Sequence, residues 1–118
     1  MAGLPGAYAR PGGRLLLAWR GQDLAGCGAL RPLEPGVAEL KRMWTRPDQR
    51  GQGVARALAV ALLAAARTQG CRAVRLDTLE GMTAARALYA SLGFVERGPY
   101  DTNPLPGVVY MELGLEGS

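Results

Sequence analysis

The stretch Pro47 to Leu58, PDQRGQGVARAL, constrains this chain most, because a glycine-bearing turn passes directly into an apolar, helix-forming run. Gly51 and Gly53 carry no Cβ, so the backbone there turns sharply and can approach a ligand closely. A helix starting at about Gly53 leaves its first amide N–H groups without intrahelical acceptors, and its dipole adds partial positive charge. Such an end attracts anions. Arg50 precedes it and Arg56 lies one turn in, so two guanidiniums can join the amides around a phosphate or diphosphate.

The rest of the composition fits that reading. A chain of 118 residues makes one domain with one modest core. Aromatic residues are only 6% of it, so Ala and Leu must fill most of the interior. The net charge of +4 comes almost entirely from arginine, with Lys41 the only lysine. Lys41, Arg42, Arg46, Arg50 and Arg56 fall close together against a single acid, Asp48. That local excess suits a compact polyanion rather than a nucleic-acid track, which would interleave basic and aromatic residues.

Cys27 and Cys71 lack metal-ligand spacing, and the chain has no histidine. Ser-His-Asp chemistry, Cys-His chemistry and the usual zinc sites are thereby excluded, no metal is expected, and two reduced thiols point to the cytoplasm. No run is long enough for a membrane span, and the opening residues lack the charged-then-apolar order of a signal peptide. Nucleic acid and membrane are therefore not expected partners.

In chain order, residues 1 to 13 have no helical period and are expected to be irregular. Arg14 to Arg20 and Leu24 to Arg31 form a hairpin, the second strand stopping before Pro32. After the Pro35-Gly36 turn, Val37 to Thr45 adds a third antiparallel strand. Both faces of that strand mix charged with apolar residues, which predicts a bulge near Arg42 that leaves backbone groups unpaired for an extended ligand. The helix opened at Gly53 ends at Gly70, Ala73 to Thr78 is a strand parallel to the third, and a second helix runs from Thr83, read as its N-cap, to Leu92. A strand begins at Phe94, a loop spans Gly98 to Gly107, and Val108 to Leu115 is the last strand.

Two of these segments carry a resemblance. Arg50-Gly51-Gln52-Gly53-Val54-Ala55 resembles the Arg/Gln-x-x-Gly-x-Gly/Ala signature of GNAT-type N-acetyltransferases, following a strand and opening a helix. Ala85 to Phe94, ARALYASLGF, is similar to that family's second signature, Ala-x-x-Leu-Tyr-x-x-x-Gly-Phe. The resemblance covers roughly residues 14 to 115 and rests on two spaced motifs in order. It implies a mixed α/β fold. A mostly antiparallel sheet would splay a central parallel pair around the cofactor, with helices on both faces and a shortened amino-terminal part.

It also implies direct transfer of an acetyl group from acetyl-coenzyme A to a primary amine. On this likeness Arg50, Gly51, Gln52, Gly53, Val54, Ala55 and Arg56 hold the diphosphate, while Met43, Trp44 and Thr45 present main-chain groups to the pantetheine arm. A backbone N–H near Met43 or Trp44 would stabilise the oxyanion. Tyr89, also beside the cofactor, is the candidate acid for the departing thiolate, and Glu39 the candidate acceptor of the amine proton, directly or through water. Each has a plainer reading: Tyr89 as a core tyrosine, Glu39 as a solvated residue or a partner of Lys41 or Arg42. Trp19, Tyr100 and Asp101 are candidates for the acceptor side, with Asp77 or Glu80 as an alternative base. Met82 stands where many members carry an asparagine, so that polar contact is expected to be absent or supplied by Thr83. The short amino-terminal side implies an open acceptor cleft or one completed by a second subunit, such as a homodimer. A dinucleotide-binding unit and a non-catalytic acyl-coenzyme A sensor are the alternatives. The acceptor, small molecule or peptide, is not specified, although the basic surface favours one bearing a carboxylate or phosphate.

Overall fold

Two tight turns build the first half of the molecule. In the computed structural model, which describes residues 13–115, strand β1 (Arg14–Arg20) returns through Gly21-Gln22 as β2 (Asp23–Glu34), and β2 returns through Pro35-Gly36 as β3 (Val37–Thr45). The irregular segment expected at the amino terminus lies, apart from Gly13, outside the described residues. β2 runs past Pro32, where the sequence predicts a stop. β1 begins opposite Leu30, so beyond that point β2 has, among the described residues, only β3 beside it, and a residue without an N–H is tolerated there.

A 3-10 turn, Pro47–Gln49, leads from β3 into helix α1 (Val54–Thr68). β4 (Ala73–Leu79), α2 (Thr83–Ser91), β5 (Val95–Arg97) and β6 (Val108–Gly114) complete a six-stranded sheet of order β1-β2-β3-β4-β6-β5. β3 and β4 are its one parallel pair of neighbours. Both helices stop as the glycines predict. The Cys71 amide donates to Ala66 and Gly70 to Arg67 behind α1, and Phe94 donates to Tyr89 and Gly93 to Ala90 behind α2, the paired bonds of a Schellman ending. At its other end α2 begins one residue off the expectation. Met82 is the N-cap and makes no side-chain cap bond, so Thr83 is already helical.

One apolar core holds Leu62, Leu63 and Ala66 of α1 together with Tyr89 and Phe94, against Ala38, Leu40, Val74, Leu76 and Met111 of the sheet. Both described helices therefore cover the same face, which corrects the expected helices on both faces. The cause is topological: the β3-α1-β4 and β4-α2-β5 crossovers step the same way across the sheet, and right-handed crossovers in one direction leave their helices on one side. The opposite face carries Glu39, Arg75, Asp77, Tyr110 and Glu112, bridged by ion pairs such as Arg75 Nε to Glu112 Oε1 at 2.6 Å. Among the described residues no helix is long and apolar enough to cross a membrane.

Candidate functional site

The parallel strands part early. Val37, Ala38 and Glu39 pair with Ala73, Val74 and Arg75, and there the β3–β4 ladder ends, although β3 stays paired to β2 as far as Thr45 and β4 to β6 as far as Leu79. A wedge opens between them. Its cause is the expected bulge: Arg42 has φ 59°, and the β2–β3 register jumps from Ala29↔Lys41 to Cys27↔Trp44, so that Arg42 and Met43 face Gly28 alone. The extra residue bends β3 away from β4.

Two glycines of β2, missed by the sequence analysis, make room for this. A Cβ on Gly26 would stand 2.6 Å from the Trp44 carbonyl oxygen, and one on Gly28 2.5 Å from Met43 Sδ. Glycines alternating along a strand opposite a suspected bulge were the available signal. Between them the Cys27 thiol donates to the Arg42 carbonyl at 3.3 Å, and burial pushes that thiol's pKa up, so it is a packing group rather than a nucleophile.

The wedge is the back of a cleft of about 1040 Å3. Met43, Trp44 and Thr45 line one side of it, and Arg50, Gly51, Gly53, Val54, Ala55 and Arg56 line its end. Gly51 and Gly53 adopt φ of 78° and 82°, left-handed values that a side chain would strain, and nothing stands within 4 Å of where their Cβ atoms would be. The first α1 bond of the series is Ala57 N–H to Gly53 at 3.0 Å, and Gly53 brings no capping side chain. The amides of Val54, Ala55 and Arg56 thus have no intrahelical acceptor. Arg56 Nη2 donates to Ser91 Oγ at 2.9 Å and ties the start of α1 to the end of α2.

Gln52 departs from the expected set. Standing between the two left-handed glycines, it faces a smaller cleft of about 390 Å3, which it shares with Trp19 on β1. Trp19 accordingly does not line the main cleft. Gln49, not anticipated, takes a place there instead: it lines the main cleft, and its Oε1 is buried without a hydrogen-bond partner among the described residues. Met82 and Thr83 both line the cleft, at the place where the family asparagine was missed.

Tyr89 reaches the cleft from α2 and is 7% exposed. Its ring meets Phe94 edge-on with centroids 5.7 Å apart, and among the described residues its hydroxyl has no hydrogen-bond partner. Burial pushes its pKa up, so the phenol is protonated at neutral pH and available as a donor. The Tyr-x-x-x-Gly-Phe spacing has a structural reason as well, since Tyr89 and Phe94 are the two residues that a Schellman ending brings into apolar contact.

Glu39 is fully buried on the other face, where β3 and β4 are still joined. Arg31 Nε and Nη2 both lie 2.8 Å from its Oε1, the Tyr100 hydroxyl donates to Oε2 at 2.6 Å, and Lys41 Nζ stands 3.7 Å from Oε2. Both oxygens are occupied and the residue does not line the cleft. Tyr100 is committed in the same way. Its ring packs on Tyr110 at 5.1 Å with the Arg75 and Arg97 guanidiniums 5.6 and 5.7 Å from its centroid, and burial, then the bond to Glu39, drives its pKa well above the usual tyrosine range. Asp101 is used within its own loop, accepting from the Thr102 amide at 2.8 Å, while its carbonyl accepts from the Tyr110 hydroxyl at 3.0 Å. Neither Tyr100 nor Asp101 lines the cleft; Asn103 and Leu105 of the same loop do.

Comparison with known proteins places this geometry. A model of the acetyltransferase (GNAT) family matches residues 4–94. An uncharacterized N-acetyltransferase of Schizosaccharomyces pombe is 38% identical over 110 residues, covering 92% of this chain and 68% of that one. An IAA acetyltransferase of Azospirillum brasilense is 37% identical over 109 residues, covering 91% of this chain and 71% of that one. Among solved structures, a Klebsiella pneumoniae protein described as an acyl-CoA N-acyltransferase superposes with a TM-score of 0.81 at 36% identity, covering 89% of this chain and 74% of that one.

Proposed function

This chain belongs to the acetyltransferase (GNAT) family and is an N-acetyltransferase, and we propose that it takes acetyl-coenzyme A as donor and acetylates a primary amine by direct transfer. One coincidence carries the reading. A strand segment unpaired on its β4 side, a helix start with open amides and a tyrosine hydroxyl without a partner among the described residues all line one cleft. The Klebsiella relative, described by its acyl-CoA chemistry, supports the choice of donor.

The residues present fit such a ligand. The amides of Val54, Ala55 and Arg56 with the Arg50 and Arg56 guanidiniums suit a diphosphate, and the free β4-side edge of Met43 to Thr45 suits the amide-bearing pantetheine arm. The orphaned Gln49 Oε1 is a buried acceptor that a donor on the ligand would satisfy. Bound there, the donor supplies an activated acyl group and a thiolate leaving group. A backbone N–H near Met43 or Trp44 would be placed to stabilise negative charge on the thioester carbonyl oxygen. Tyr89, protonated and facing the cleft, would be the proton source for the thiolate leaving group. Glu39, its own oxygens held by Arg31 and Tyr100, influences the amine through Lys41 and is a positioning residue. Two free cysteines fit a reducing compartment such as the cytoplasm.

Tyr89→Phe tests the proposal. Following thiol release with a panel of amines, kcat falls by about 10²-fold or more while the affinity for coenzyme A, read by calorimetry, stays within about twofold. Wild-type protein with no affinity for coenzyme A or acetyl-coenzyme A would overturn it.

A further inference from the structure

Just beyond the last β3–β4 pair, the strands present Lys41 and Asp77 to each other across the opening wedge. Each lies two residues past a member of the Glu39↔Arg75 pair, on the same face, and both line the main cleft. Lys41 Nζ stands 3.7 Å from Asp77 Oδ1 and 3.7 Å from Glu39 Oε2, too far for a good hydrogen bond to either. Among the described residues Asp77 Oδ2 receives only a long 3.4 Å contact from Asn103 Nδ2. The Lys41 and Asp77 side chains are 28% and 20% exposed, and with only long contacts between them both keep hydrogen-bonding capacity toward the cleft.

Within this cluster Arg31 answers Glu39 and Lys41 answers Asp77, so the wedge offers one cation and one anion side by side. A lone cation would meet Lys41 and a lone anion would meet Asp77. A molecule carrying both charges a few bonds apart suits the pair, its ammonium at Asp77 and its carboxylate at Lys41. We infer that Lys41 and Asp77 form an acceptor subsite for a small zwitterion of the amino-acid type, in which Asp77 also receives the protons that the nitrogen sheds. This rests on the acetyl-transfer reading above and names its substrate class.

The proton balance closes with these groups. The ammonium loses one proton through Asp77 to solvent, the free amine forms the C–N bond, and the oxyanion is held by the backbone N–H near Met43 or Trp44. As the C–S bond breaks, the nitrogen gives its second proton to Asp77 and Tyr89 protonates the thiolate. Glu39 keeps Lys41 at the wedge, and the loop carrying Tyr100 covers Glu39.

The test uses the full chain with saturating acetyl-coenzyme A and, as acceptors, the twenty common amino acids, the carboxamide of each, and spermidine. Thiol release is the readout, and coenzyme A affinity is measured separately by calorimetry. At least one free amino acid is expected to be acetylated, its carboxamide being poorer by about tenfold to a hundredfold in kcat/KM. Lys41→Met abolishes this preference by lowering activity on the acid alone, Lys41→Arg retains it, and Asp77→Asn lowers kcat on acid and carboxamide together. Coenzyme A affinity remains in all three variants. The inference is overturned if carboxamides or spermidine are used as well as the acids, if Lys41→Met leaves the preference intact, or if the protein binds coenzyme A yet acetylates no amino acid. Failure to bind coenzyme A at all overturns the acetyl-transfer reading itself, and this inference with it.

Discussion

The two halves of β3 behave as different elements. Val37 to Glu39 are zipped between β2 and β4, and their buried carboxylate is answered on every side. Met43 to Thr45 have no β4 partner, line the cleft and keep backbone capacity for something that is not protein. One inserted residue at Arg42 separates the two regimes. A continuous ladder would have been the more stable sheet, and on the proposed reading its interruption is where the donor would be held.

The largest way to break that contrast is Gly26→Ala. Its methyl would meet the Trp44 carbonyl oxygen and crowd Val54 Cγ1, so the open half of β3 and the start of α1 must both move. Overpacking of this kind costs about 1–3 kcal/mol, and the displacement of reacting groups lowers kcat/KM on the order of 10²-fold. Urea denaturation and steady-state kinetics check both.

Glu39→Gln attacks the closed half. Arg31 and Lys41 lose their shared counter-charge, and about 1–3 kcal/mol of stability goes with it, discounted because Arg31 is one-third exposed. With Glu39 positioning rather than reacting, kcat falls only several-fold. A variant of undiminished stability whose kcat drops a hundredfold would make Glu39 the base after all.

Glu112 gives the smallest effect. The hydrogen bond from Arg75, then that from Arg97, holds its carboxyl below the ordinary value of 4.5. A depressed folded value means that the stability from this pair is fully present above pH 4.5 and is lost as pH falls through the lowered value. Thermal melts are therefore flat from neutral pH down to about 5 and fall below 4, whereas Glu112→Gln melts roughly 2–6 °C lower at pH 7 and loses that part of the acid dependence.

Much of the open half was legible in the sequence, because its signals are local. The glycines at 51 and 53, the helix they open and the confused polarity of Val37 to Thr45 each follow from neighbours in the chain. The closed half was not, because it is assembled at a distance. Glu39 finds Arg31 across a hairpin and Tyr100 from a loop 61 residues away, and no local pattern foretells either. Placing both helices on one face required the strand order, which two motifs and a set of turns do not supply. Gly26 and Gly28 were readable in principle, since glycine spaced by two in a strand announces a close neighbour, yet that neighbour is known only once the β2–β3 register is.

The central claim, that the unpaired end of β3 and the start of α1 together hold the donor, is tested most directly by amide NMR during titration with coenzyme A. Saturable shifts are expected at Met43 to Thr45 and at Gly53 to Arg56, with Val37 to Glu39 unmoved. No shifts at all, or shifts confined to Leu16 to Arg20 and Ala57 to Ala61 around the smaller cleft, would contradict it.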